Sequence, residues 1–238
     1  MDAFLLCFLN LALPDTLLDH YLSAIPKKEP GTHRLIVVLA SMLRLLLGML
    51  TRTFVRPWDA EYSSPHDTTA PGKRADVMVG LRHALQAADR ALGLHTAMVL
   101  WDLEAFYDNV DVPTLIRQCK RWHFPLPVLA LALQCHMAPR RIRCGKSISR
   151  ALRPARGILA GCSTSTSCSR AQLRNAAEDQ EVATHQHVDD MAMLHSAPSK
   201  RVLFKKIKQA AIKFTERVKW LKLTVSRPAK GTSFLAPE

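Results

Sequence analysis

Ala97-Met98-Val99-Leu100-Trp101-Asp102-Leu103-Glu104-Ala105-Phe106-Tyr107-Asp108 and, further along, His187-Val188-Asp189-Asp190-Met191 are the segments on which the reading of this chain turns. The first is an apolar run that ends at a carboxylate, as a strand would that delivers Asp102 at its tip. The second reads as a strand–turn–strand hairpin with two adjacent carboxylates at the turn. Between them, Arg156-Gly157-Ile158-Leu159-Ala160-Gly161 is a glycine-punctuated loop that opens a Ser/Thr-rich segment. A carboxylate on one strand end and an Asp-Asp pair on a hairpin tip can converge in space. Carboxylates held together repel unless hard cations lie between them. Two Mg²⁺ ions about 3.5–4 Å apart, held this way, are the machinery of phosphoryl and nucleotidyl transfer.

Composition narrows the class. The chain has 238 residues, of which 48% are hydrophobic, and carries a formal net charge of +13. That length suits one large domain or two small ones with a real core. Residues 1–139 hold 13 Lys and Arg against 13 Asp and Glu, whereas residues 140–238 hold 20 against 7. The whole excess therefore lies in the second part. A basic half beside an acidic site fits a polyanion guided onto metal-holding carboxylates, and a generic basic surface is the plainer alternative. The six cysteines include no Cys-x-x-Cys, and no His/Cys quartet has zinc-finger spacing. They read as reduced and mostly buried, in an intracellular protein of nucleus or cytoplasm. Residues 1–13 are apolar but carry Asp2 and no early Lys or Arg, a poor signal peptide. No uninterrupted apolar run reaches 18 residues, so no membrane span is expected; residues 35–50 come nearest, punctuated by Arg44.

Taken in order, residues 3–24 read as helical, with a break and restart at Pro14-Asp15. Ile25-Pro26, the turn residues Glu29-Pro30-Gly31-Thr32 and the β-branched run over 33–38 read as a hairpin. Residues 40–55 form an amphipathic pattern expected to end before Pro57. Residues 59–72 are polar and read as a loop. A helix is expected over 74–92, with Val77, Leu81, Leu85 and Ala88 on one stripe and Gly93 as its C-cap. Helices over 113–122 and 128–136 follow, the first with Leu115 and Ile116 inward. Short strands and a basic turn centred on Gly145-Lys146 occupy 139–154. Further helices start after Ser163 and Ser199. The second sets Lys205, Lys206, Lys208 and Lys213 against Val202, Ile207, Ile212 and Phe214, as an amphipathic surface helix does more often than a nucleic-acid contact.

The three segments, in this order, resemble the palm motifs of reverse transcriptases. Asp102 with Tyr107 resembles the aspartate strand with its following aromatic. The glycine loop resembles the Arg-Gly-Ile-Pro-Gln-Gly loop of LINE-like (non-LTR) retroelements, with Leu159-Ala160 for Pro-Gln. The hairpin resembles Tyr-x-Asp-Asp, with His187 for Tyr. The resemblance spans residues 25–235 and reaches fingers and palm, with no thumb. It implies an α+β right-hand polymerase: a palm of antiparallel sheet with helices on one face, plus helical and hairpin fingers. It divides the chain into an N-terminal helical extension (1–24), fingers (25–95), palm with the first aspartate motif (96–114), a fingers–palm insertion (115–150) and the rest of the palm (151–238).

The implied activity is RNA-directed DNA polymerase, with RNA template, DNA primer and deoxynucleoside triphosphates as partners and two Mg²⁺ ions, or Mn²⁺, as cofactor. In that scheme Asp102 and Asp189 bridge both metals, Asp190 supports them, and the Leu103 carbonyl completes one shell. Lys27, Lys28 and Arg34 face the triphosphate, Tyr107 is the steric gate under the sugar, and Gly161 and Lys230 complete the nucleotide side. Arg140, Arg141, Arg143, Lys146, Arg156 and Gly157 hold nucleic acid. Departures are the missing proline after Arg34, the missing Gln at Ala160, and Cys162 where Ser is usual. Two rivals stay open. One is a decayed or domesticated copy that only binds nucleic acid. The other is a metallohydrolase, because His185-Gln186-His187-Val188-Asp189 approaches the His-x-His-x-Asp-His zinc signature, with His195 as the next histidine.

Overall fold

The computed structural model describes residues 2–26, 31, 33–64, 66–177, 183–226 and 231–235. Lys27, Lys28 and Lys230 lie outside these residues, as does the side chain of Arg34. In chain order the elements are α1 (Asp2–Asn10), β1 (His20–Pro26), β2 (His33–Val38), α2 (Ser41–Leu50), a π-helical turn (Thr51–Val55), α3 (Arg56–Tyr62), α4 (Ala75–Ala91) and β3 (His95–Trp101). There follow α5 (Phe106–Asn109), α6 (Val112–Arg121), α7 (Leu126–His136), β4 (Arg140–Cys144), β5 (Ser147–Ile148), α8 (Ser165–Ala177), β6 (Ala183–His187), β7 (Asp190–Ala197), α9 (Lys200–Trp220) and β8 (Gly231–Leu235). No helix among the described residues is long and apolar enough to cross a membrane.

The chain forms two units, each built from two segments: residues 1–58 with 107–168, and residues 59–106 with 169–238. Helix α4 lies in the second of these, with the sheet that carries the aspartates.

In the first unit the sheet order is β2-β1-β4-β5. Strands β1 and β2 pair antiparallel from Tyr21↔Val38 to Pro26↔His33, as the hairpin pattern predicted. The helix expected over 3–24 is shorter: α1 stops at Asn10, Leu11 turns with φ 47°, and His20 begins a strand. Pairing with both β2 and β4 outweighs the weak helical leaning of that stretch. In α2, Leu43, Leu46, Leu47 and Leu50 recur at helical spacing and are buried. Helix does not end before Pro57, contrary to expectation. The wider π turn runs directly into α3, so Pro57 follows a point where the regular i−4 ladder is already interrupted. The continuation carries Trp58 inward, where its indole Nε1 donates to the Trp122 carbonyl at 2.6 Å and its ring meets Phe124 edge-on at 4.9 Å. Asp111 caps α6 by accepting from the Thr114 amide at 3.0 Å; Leu115 is fully buried and Ile116 half-buried.

The second unit holds an antiparallel sheet in the order β6-β7-β3-β8. One face receives α9: Ala97 and Ala197 cluster with Leu203, and Trp101 packs on Phe214 at 4.9 Å between ring centres. Side chains alternate along a strand, so Ser196 belongs to the other face. Its hydroxyl bonds Asp89 of α4, so α4 lies on that side. The buried stripe of α9 is Leu203, Ala210, Phe214 and Val218, whereas Val202 and Ile212 are exposed. The apolar stripe of α4 is likewise its outward one: Val77, Leu81 and Leu85 are exposed, and Met78 and Gln86 are buried. Gly93 closes α4 as expected, with φ 76°, a conformation in which a Cβ is strained.

Candidate functional site

Strands β3 and β7 pair in register from His95↔Ala197 to Trp101↔Met191. Continued by one residue, that register sets Asp102 opposite Asp190 at the end of the sheet. Asp189 is the next residue, in the two-residue turn that His187 and Asp190 close. The sequence thus placed its three carboxylates on adjoining positions of one sheet end. Asp102 and Asp189 are half-buried and Asp190 is exposed. The turn is unusual, because Val188 has φ 59°, a conformation a β-branched residue rarely adopts. The Gln186 side-chain amide donates to the Val188 carbonyl at 2.8 Å and holds the turn there.

At the other strand, the Ser226 amide donates to the Asp102 carbonyl at 2.8 Å, and the Glu104 amide to the Thr224 carbonyl at 2.9 Å. These two bonds make the Leu103–Val225 bridge and bypass the Leu103 carbonyl oxygen. Hard oxygen donors on adjoining positions are the ligand type Mg²⁺ takes. Among the described residues, no group of three or more His, Cys, Asp or Glu stands close enough to hold a metal ion. The carboxylates are thus of the chemistry such an ion takes and lie at one sheet end, but they do not close into a metal-holding group.

The hairpin is braced by residues that the sequence reading left in a polar loop. Asp67 bridges Gln186 in parallel, and the Thr68 amide donates to the Gln186 carbonyl at 2.8 Å. Thr68 Oγ1 lies 2.7 Å from His187 Nδ1. Behind this loop, Arg170 is buried and donates from Nη1 to Asp59 at 2.6 Å, from Nε to Asp67 at 2.5 Å, and to the Thr69 carbonyl. The one sequence signal for this network was an arginine inside an otherwise Ser/Thr-rich helix.

These contacts count against the metallohydrolase reading. His187 is engaged by Thr68. His185 pairs with Ala192 and His195 with Ala97, which puts the two histidines on opposite faces of the sheet.

The remaining sequence-predicted residues lie in the first unit. Gly157 was expected to approach nucleic acid; it approaches its own chain instead. It is buried with φ 94°, and a Cβ there would stand 2.9 Å from the carbonyl oxygens of both Tyr107 and Asp108. The Gly157 amide donates to the Val110 carbonyl and the Ile158 amide to the Tyr107 carbonyl, both at 2.8 Å. The glycine loop is thereby stapled to the turn that carries Tyr107. Its other end rests on His136, whose Nδ1 accepts from the Leu159 amide at 3.2 Å. Burial, with Arg140 beside it, drives the His136 pKa down to about 3, so the ring stays a neutral acceptor. Gly157→Ala should cost about 2–4 kcal/mol, by overpacking against backbone and by a strained φ. An unfolding free energy from denaturant titration within about 0.5 kcal/mol of the parent would refute this close approach.

Arg140 and Arg141 lie on strand β4, one of the short strands expected on either side of the Gly145-Lys146 turn. Arg140 is half-buried and donates to the His136 carbonyl at 2.5 Å, and Arg141 pairs with Asp19 at 3.3 Å. Arg143, Lys146 and Arg156 are exposed, and Gly161, with φ 89°, is exposed at the loop's end. Tyr107 is half-buried.

Comparison with known proteins settles the family. The profile of reverse transcriptase (RNA-dependent DNA polymerase) matches residues 25–235. The chain belongs to the reverse transcriptase family. No curated protein matches it. Among solved structures, apo telomerase from Candida tropicalis, truncated from its C-terminal domain, superposes with a TM-score of 0.57 at 14% identity. The match covers 95% of this chain and 52% of that one, so the chain spans about half the telomerase's length. At that identity the likeness concerns the fold: this reverse transcriptase domain shares a right-hand polymerase architecture of mixed helices and sheets.

Proposed function

We propose that the domain is an RNA-directed DNA polymerase of the LINE-like type, extending a DNA primer on an RNA template from deoxynucleoside triphosphates. The observation that carries this is the β3–β7 register, which sets Asp102 opposite Asp190 with Asp189 beside it. Asp102, Asp189 and Asp190 would hold two Mg²⁺ ions, or Mn²⁺, with the Leu103 carbonyl available at the same strand end. Bound there, the ions would acidify the primer 3′-hydroxyl and neutralise the leaving pyrophosphate. The chain's own part is positioning. The strained Val188 turn fixes the direction of Asp189, and Thr68 and Gln186 fix the hairpin that carries it. Primer extension on an RNA template with Mg²⁺ or Mn²⁺ tests the reading. Binding of template–primer without extension in either metal would instead favour a copy that only binds nucleic acid. That second reading draws on the open carboxylate arrangement and on the departures at Ala160 and His187.

Two expectations attach to this function. Tyr107, held by the staple to the glycine loop, is proposed as the steric gate; Tyr107→Ala should raise ribonucleotide over deoxyribonucleotide incorporation. Equal discrimination in variant and parent would make it an ordinary packed aromatic. The polyanion is proposed to lie on the exposed cations Arg143, Lys146 and Arg156. Changing all three to Gln should flatten the plot of log affinity against log salt by roughly two to three contacts, each about 0.7–0.9. Arg140→Gln should leave the slope alone, since that side chain is already spent on the His136 carbonyl. A slope unmoved by the triple change would shift the search to the lysines of α9.

A further inference from the structure

Helix α9 carries most of the chain's net charge. Residues 200–222 hold nine Lys and Arg against one Glu, a net +8 of the chain's +13. The apolar face of the helix is committed to the sheet: Leu203 packs on Ala97 and Ala197, and Phe214 on Trp101. At about 100° per residue, Arg201, Lys205, Lys208, Ile212 and Lys219 fall within an arc of about 60° on the opposite side. All five are exposed. From Arg201 to Lys219 the ridge is about 27 Å long, at about 1.5 Å per residue.

Such a ridge is unfavourable by itself. Arg201 and Lys205 stand four apart, and Lys205 and Lys208 three apart, spacings at which like charges repel on a helix. The first turn holds Lys200 and Arg201 and no acid, against the helix dipole. Among the described residues, no carboxylate pairs with Arg201, Lys205, Lys208 or Lys219. A solvated helix face ordinarily alternates cations with acids that offset them.

We propose that the outward ridge of α9 binds the sugar–phosphate backbone of a nucleic acid, independently of base sequence and in addition to the exposed cations of the first unit. A row of phosphates offsets the repulsion along the ridge, and its cations release the counterions condensed on the strand. Phe204 and Trp220, each 56% exposed, flank the ridge and offer ring faces to unpaired bases. An anionic bilayer fits less well. A helix lying in a bilayer surface buries a continuous apolar face, and that of α9 is already spent on the sheet. The inference does not rest on the polymerase reading, because Asp102 and Asp189 take no part in it.

The test follows binding of a mixed-sequence RNA of about 20 nucleotides to the full chain by fluorescence anisotropy, across a salt series. Changing Arg201, Lys205 and Lys208 together to Gln should flatten the plot of log affinity against log salt by about two, at about 0.7 per contact. A charge-matched control, exposed Arg52, Arg56 and Lys120 to Gln, should flatten it by less than about 0.7. Lys205→Arg with Lys208→Arg should keep the parent slope. The α9 Gln variant should melt no lower than the parent, since it loses repulsion. Asp102→Asn should keep the full slope while losing extension, so the ridge and the polymerase reading fail separately. An unmoved slope in the α9 Gln variant, equal flattening in the charge-matched control, or a lowered melting temperature would each overturn the assignment. So would displacement of the RNA by polyglutamate at equal charge concentration, or tighter binding to phosphatidylserine vesicles than to the RNA.

Discussion

Asp189→Asn should abolish primer extension, by about 10³-fold or more, and leave the fold untouched. The substitution is nearly isosteric and removes one negative charge from a turn that is already half-exposed, so packing has little to lose. What it removes is a hard anionic ligand. Metal-held charge stabilisation is worth several kcal/mol of barrier, and each 1.4 kcal/mol is roughly a factor of ten. The same change at Asp190, which is exposed at the first position of β7, should cost less if its role is support rather than bridging. The measurement is single-turnover extension with Mg²⁺, alongside a thermal melt. An Asp189→Asn protein that extends primers within about tenfold of the parent would place the chemistry elsewhere. Loss of extension together with a large fall in Tm would report a structural turn residue instead.

Arg170→Met should be the most destabilising single substitution in the sheet unit, at about 3–5 kcal/mol. The arginine is 6% exposed and joins two buried carboxylates, Asp59 and Asp67. Removing it takes away the guanidinium that both Asp59 and Asp67 accept from, and also frees the Thr69 carbonyl. At roughly 2–4 °C per kcal/mol for a chain of this size, the melting temperature should fall by about 6–20 °C. Arg170→Lys should fall between the two, because an ammonium keeps the charge but cannot reach Asp59, Asp67 and Thr69 in one planar fork. Since Asp67 bridges Gln186 at the hairpin's edge, the same variant should weaken extension at temperatures where it is still folded. A Tm within about 2 °C of the parent would mean that the three contacts are interchangeable with water.

The motif segments were legible because their information is local. A strand ending at Asp102, a hairpin tip at Asp189-Asp190 and a glycine loop at 157–161 are each written in a few consecutive residues, and their order along the chain carried the family. The capped helices α6 and α9 and the β1–β2 hairpin were legible for the same reason. Other features depend on partners far away in sequence. Whether residues 20–26 became strand depended on β2 and β4, because short stretches of mixed pattern have no strong preference of their own. The sequence marked an apolar stripe on α4, but only the sheet's own covering decided that Met78 and Gln86 turn inward and Val77, Leu81 and Leu85 outward. Gly157 was visible as a glycine. That its missing Cβ makes room for the Tyr107 and Asp108 carbonyls, rather than for a template strand, emerged from the folded loop. Asp59 and Asp67 looked like solvated loop residues. They are buried because Arg170, more than a hundred residues on, neutralises them, and periodicity records which face of an element is apolar but not which charge will meet it.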